Sequence, residues 1–178
     1  AWPANPRNYA NLGAALGSRD QDSTAIALIR QAITMRPDFG EAHLNLGTLF
    51  KRAGQLDSAI VHLRAALPDL KNDTQWFQAH HRLGIVLRTR GYAKQALEQQ
   101  REALQLSPTS VVAHYELAFG LHEQGDLTAA VVSYRAALAL SPTYRPAHYN
   151  LGVALEELGQ TDAAQYHLRM AEDLARGD

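Results

Sequence analysis

The sequence predicts an all-α solenoid of five helix-turn-helix units. Three observations carry that expectation: a phrase that recurs at a near-fixed period, small residues at matching points of every unit, and a turn residue after each first helix. The phrase reads Asn11-Leu12-Gly13, Asn45-Leu46-Gly47, Arg82-Leu83-Gly84, Glu116-Leu117-Ala118 and Asn150-Leu151-Gly152. Its leucines are spaced 34, 37, 34 and 34 residues apart. A period near 34 over almost the whole chain marks stacked helical repeats, each of which buries its apolar face only against its neighbours.

The first helix of a unit is read from Tyr9, Leu12, Gly13 and Leu16, which share one face at helical spacing. The position of Leu16 recurs as Phe50, Leu87, Leu121 and Leu155. A glycine inside a helix costs about 1 kcal/mol relative to alanine. Gly13, Gly47, Gly84 and Gly152, with Ala118 in the remaining unit, therefore mark where a second helix must approach closely. Gly54, Gly91, Gly125 and Gly159, with Asp20 in the first unit, fall where that helix stops and are expected to be left-handed caps. The second helix presents Ala25, Ala59, Ala96, Ala130 and Ala164, then Ala32, Ala66, Ala103, Ala137 and Ala171, on its inner face. Pro37, Pro108 and Pro142 end three of these helices, because proline cannot continue the hydrogen bonding.

The expected organisation is one repeat domain, 1–178, with repeats near 6–39, 40–76, 77–110, 111–144 and 145–178. The 37-residue interval marks a seam: Pro68 comes early, Asn72-Asp73-Thr74 reads as a loop, and Gln100 stands where other units carry Ile29, Leu63, Tyr134 and Leu168. A locally distorting insertion is the simpler reading, and a hinge between the first two and last three repeats the sharper one. Ala1-Trp2-Pro3 fits the tail of a preceding repeat, with Pro3 lying 34 residues before Pro37, so the chain is expected to be cut from a longer array. At the other end Gln165 and Glu172 replace Val131 and Leu138, the polar finish that a solenoid needs.

Composition narrows the function classes. A net charge of -1 gives no basic excess to draw the chain to nucleic acid. Without cysteine there are no disulfides, thiolate nucleophiles or cysteine-bearing zinc sites. No run approaches the roughly 18 apolar residues of a membrane helix, so no membrane insertion is expected. The compartment stays open, cytoplasmic by default with export not excluded. His43, His80, His114 and His148 share one repeat position, and His62 and His167 share another, a regularity that reads as packing. No His-Glu-x-x-His, phosphate-cradling glycine loop or Gly-x-Ser-x-Gly elbow appears. Neither catalytic residues, nor a cofactor, nor a metal is expected.

The repeated positions resemble the tetratricopeptide repeat family, with Tyr9, His43, His80, His114 and His148 where that family carries a bulky aromatic. The resemblance implies a right-handed superhelix whose concave groove, lined by the first helices, binds a protein or peptide. Asn11, Asn45 and Asn150 are similar to the asparagine ladder of O-linked N-acetylglucosamine transferase repeats, which grip extended peptides, while Arg82 and Glu116 interrupt it. Asn45 and Arg82 also match two positions of the carboxylate clamp of co-chaperone repeats; Ala10, Ala14 and Gln78 do not match the others.

Charge and aromatics then divide the expected groove. Lys51, Arg52, Arg82 and Arg88 make one half basic; Glu116, Glu123, Glu156 and Glu157 make the other acidic, with His122 among them. Tyr115, Phe119 and Tyr149 add an aromatic patch to the acidic half, with His81 nearby, and Phe119 reads equally well as packing between first helices. The leading expectation is a scaffold that holds a partner segment in this groove. The alternatives are the substrate-recruiting arm of a larger enzyme such as a glycosyltransferase, and self-association through the solenoid ends.

Overall fold

Three first helices begin at a capping side chain, Asn5, Asn72 or Ser110, and every first helix ends just ahead of a residue that turns left-handed. A computed structural model describes residues 5–177, which form ten α-helices and no strand. They are α1 (Pro6–Gly17), α2 (Asp22–Met35), α3 (Gly40–Arg52), α4 (Leu56–Ala66), α5 (Asp73–Thr89), α6 (Ala93–Leu106), α7 (Val111–Glu123), α8 (Leu127–Leu140), α9 (Arg145–Glu157) and α10 (Thr161–Arg176). The helices group into two compact units, one ending at Tyr92 and the other starting at Ala93. The first holds α1–α5 and the second α6–α10, so the division falls inside the third repeat rather than at the 37-residue interval. Trp2 and Pro3, read above as a repeat remnant, lie outside the described residues.

The turns follow the expected chemistry. Gly54 has φ 71°, and Asp20 adopts φ 60° in the corresponding place of the first repeat. Glycine pays no steric penalty there, whereas an L side chain does. Gly91, Gly125 and Gly159 repeat the arrangement.

In the second and fifth repeats glycine and alanine let the two helices meet backbone to backbone. A Cβ placed on Gly47 would stand 2.7 Å from Leu63 Cγ and 3.2 Å from the Ala59 carbonyl oxygen. On Gly152 it would stand 2.7 Å from Leu168 Cγ and 3.2 Å from that of Ala164. All ten second-helix alanines named above are buried. In the first unit the core is built on Ile29, Phe39, Leu46, Leu63, Leu83 and Leu87; in the second, on Leu121, Val131, Tyr134, Leu151 and Leu155. Each such side chain removed from water contributes about 1.5–3 kcal/mol.

The seam differs from its expectation. Asn72 is the N-cap of α5, accepting from the Gln75 N–H at 3.0 Å, so Asp73 and Thr74 are helical rather than looped. Asp73 in the first turn suits the positive end of the helix dipole. Ahead of it, Leu67–Asp69 form a 3-10 turn. Asp69 accepts from the Gly40 N–H at 3.1 Å, Arg36 Nη2 at 2.8 Å and Lys71 Nζ at 2.7 Å. The Lys71 bond and the Gly40 N–H hold the Asp69 carboxyl below its usual range, with Arg36 and the Lys71 charge adding to them against the opposing effect of burial. The insertion is thereby tied to the start of α3.

Candidate functional site

In the first unit α1, α3 and α5 lie side by side as neighbouring first helices. Between them opens a pocket of about 270 Å³, lined by Ala14, Gly17, Ser18, Ile29, Asn45, Thr48, Leu49, Arg52 and Arg82. Three residues singled out from the sequence, Asn45, Arg52 and Arg82, thus come together. Their states differ.

Arg52 is already engaged. Its Nε donates to Asp22 Oδ2 at 2.9 Å, its Nη2 pairs with the other Asp22 oxygen, and Nη2 also donates to the Gly17 carbonyl at 2.6 Å. That arrangement ties the end of α3 to the turn between α1 and α2. Arg82, by contrast, meets a neutral partner: its Nη1 donates to the Thr48 hydroxyl at 2.8 Å. Burial draws its pKa below the ordinary arginine value. Asn45 is half-buried at the same pocket. His81 stacks on Phe77 at 5.7 Å with ring planes 2° apart. Its pKa is lowered by burial and then by the charges of Lys51 and Arg82, so the three basic groups lie close enough to feel one another. Lys51 is exposed, Arg88 is half-buried near the end of α5, and Asn11 is exposed on α1.

The second unit presents a different surface. A pocket of about 320 Å³ between α7 and α9 is lined by Phe119, His122, Glu123, Asn150 and Glu157. His122 Nε2 stands 3.1 Å from Glu157 Oε1, and its ring meets the buried Tyr134 edge-on at 6.4 Å. Asn150 Nδ2 donates to the Tyr115 hydroxyl at 2.9 Å. Tyr115 also packs edge-on against Tyr144 at 5.4 Å and tilts against Phe119 at 6.3 Å. Asn150 and Tyr115 are therefore partly occupied with each other. Tyr149 is 56% exposed, and Glu123 and Glu156 are exposed. Both the acids and the free aromatic surface reach solvent in this unit.

Sequence reasoning missed Thr48, which fixes Arg82, because a lone threonine carries no repeat signal. It also read the histidines as separate packing residues. Nδ1 of His43 lies 2.9 Å from Nδ1 of His62, and Nδ1 of His148 lies 3.0 Å from that of His167. The available signal was the equal spacing of the two pairs along the chain. Among the described residues no three His, Cys, Asp or Glu side chains gather to hold a metal ion, and no helix is long and apolar enough to cross a membrane.

Tetratricopeptide repeat models match residues 23–83 and 146–173, and a TPR repeat model matches 120–159. No curated protein sequence matches the chain. Among solved structures the chain is similar to MamA from Desulfovibrio magneticus RS-1, with a TM-score of 0.88 at 19% identity over 100% of this chain and 99% of that one. A further MamA structure gives a TM-score of 0.84 at 20% identity, covering 93% and 95%. YrrB, described as a TPR protein with an unusual peptide-binding site, gives 0.80 at 23% identity, covering 93% and 84%. The repeat models fall in both units and the solved structures share the all-helical fold, so the chain is built of tetratricopeptide repeats in an α-solenoid arrangement.

Proposed function

We propose that the chain is a binding module that holds a segment of a protein partner against its first helices, with an acidic group of that segment at Arg82. The observation that carries the reading is Arg82 itself. A partly desolvated guanidinium is held in place by Thr48 at the edge of an open pocket. Arginine presents a planar fork of donors that fits a carboxylate, and such a pair gains most where water is partly excluded. Asn45, lining the same pocket, carries an amide able to donate to and accept from a peptide backbone. That is the role implied by the resemblance of its position to O-linked N-acetylglucosamine transferase repeats.

Lys51 and His81 extend the basic character beside Arg82, while Asn11 and Arg88 lie on the same helices. Arg52 supports the pocket wall more than it offers a contact, because Asp22 and the Gly17 carbonyl take its donors. In the second unit, Tyr149, Phe119, His122, Glu123, Glu156 and Asn150 form a separate contact surface suited to basic or aromatic side chains. The peptide-binding site named for YrrB supports a peptide as occupant. Binding rather than catalysis is the work proposed.

The test is a random peptide library displayed against the full chain, followed by amide chemical-shift mapping of a recovered peptide. Enrichment of Asp and Glu, with shifts centred on Asn45, Thr48 and Arg82, is the expected result. Recovered peptides without acidic residues, or shifts confined to α2 and α4, would refute it.

A further inference from the structure

Both units contain the same histidine arrangement, which peptide binding does not use. His43 of α3 and His62 of α4 meet through Nδ1 at 2.9 Å; His148 of α9 and His167 of α10 do so at 3.0 Å. At the far side of the first ring of each pair, Nε2 of His43 lies 2.9 Å from the Pro37 carbonyl, and Nε2 of His148 lies 2.9 Å from that of Pro142. A carbonyl only accepts, so each Nε2 must carry a hydrogen. In a neutral ring the other nitrogen is then an acceptor. The hydrogen shared between the rings therefore belongs to Nδ1 of His62 and of His167. The ring centroids stand 5.1 Å apart in both pairs, an almost head-on approach of the nitrogens.

We infer that each pair is an acid-sensitive clasp: one proton between the rings joins the two helices of a repeat, and a second proton forces them apart. The chemistry follows from counting hydrogens. The neutral pair holds one N–H···N bond. A first added proton can go to the outer nitrogen of His62 or His167 and leave that bond intact. A second must go to Nδ1 of His43 or His148, where two N–H groups then face each other at a distance that suits a single hydrogen. Full protonation of a pair is incompatible with the folded contact.

The charged groups that act on the outer rings are cationic. His43 of the same pair and Arg30 of α2 bear on His62; His148 and Arg135 of α8 bear on His167. Arg30 lies over the Phe50 ring at 5.5 Å, and Phe50 in turn stacks on His62 at 5.4 Å. Tyr166 meets His167 edge-on at 5.0 Å. Burial first, then the partner histidine, then the arginine hold the pKa of His62 and His167 below the ordinary value. The unfolded chain accepts protons that the folded pairs resist. Stability is thus complete above the ordinary histidine value of about 6.5 and falls as the pH drops below it.

The experiment compares urea unfolding of the full chain with that of a His62→Gln, His167→Gln double variant, at about pH 7.5 and about pH 5. Gln99 and Ser133 occupy the equivalent position in other repeats, so glutamine there keeps a polar partner without titrating. Acidification is expected to raise the unfolding constant of the wild type over that of the variant by on the order of tenfold per pair. An equal pH dependence of the two proteins would overturn the inference. Nitrogen-15 NMR of the wild type gives a second readout that needs no variant. Hydrogen on Nε2 of His43 and His148 and on Nδ1 of His62 and His167 is expected near neutral pH, and hydrogen on Nε2 of His62 and His167 with ordinary titration would refute it.

Discussion

Arg82 of α5 donates to the Thr48 hydroxyl of α3 at 2.8 Å, so a charged group is positioned by a neutral one. Threonine orients the guanidinium, and on the proposed reading its charge meets an acidic group of the ligand. Removing the charge should then cost the free protein little. Arg82→Met is expected to change stability in urea by less than about 1 kcal/mol, or to raise it, because a partly desolvated charge held by a neutral hydroxyl is replaced by an apolar chain of similar length. A larger loss would assign Arg82 a structural role instead.

Gln100 of α6 is 1% exposed, and neither end of its amide has a hydrogen-bond partner among the described residues. A buried amide left unsatisfied costs about 1–3 kcal/mol. Gln100→Leu, which installs the residue type of Leu63 and Leu168, is expected to stabilise the chain by about 1–2 kcal/mol in denaturant titration.

Gly152→Ala meets the opposite situation. Its new methyl would collide with Leu168 and crowd the Ala164 carbonyl, so α9 and α10 must separate or Leu168 must leave its rotamer. A loss of about 1–3 kcal/mol is expected, measured as a lower urea midpoint. Gly47→Ala is expected to behave alike through Leu63.

Asp20 holds the turn that glycine holds in the other repeats, at φ 60°. Its carboxylate is 91% exposed and lies 3.5 Å from Arg52 Nη1, a pairing of small value in solvent. Asp20→Gly is expected to raise stability by up to about 1 kcal/mol, since left-handed strain is removed at little electrostatic cost. A calorimetric melting temperature that falls would contradict this.

The framework was legible in the sequence because packing repeats with the chain. Gly47 and Ala59 recur wherever two helices touch, and Gly54 or Asp20 recurs wherever a helix turns. What did not repeat was harder to read. Leu12 is 52% exposed although Leu46, Leu83 and Leu151 at its position are buried, because no described helix precedes α1 to cover it. The start of α5 was misplaced because Asn72 caps it one turn earlier than the period implies. Among the proposed binding positions, repeat spacing located Asn45, Arg52, Arg82 and Asn150 but not their partners. Asp22 and the Gly17 carbonyl occupy Arg52, and Tyr115 engages Asn150, through contacts between different helices. The histidine pairs escaped for the same reason: periodicity marks a position and says nothing of the ring across from it.

The most direct test of the central claim is the affinity of a display-selected acidic peptide for the wild type, Arg82→Met and Asn45→Ala, followed by fluorescence anisotropy. Loss of a charge-assisted contact worth about 1.5–3 kcal/mol predicts a Kd weakened at least tenfold by Arg82→Met, and a smaller weakening by Asn45→Ala. An unchanged Kd in the folded Arg82→Met protein would contradict the account and move the binding site away from the first-helix pocket.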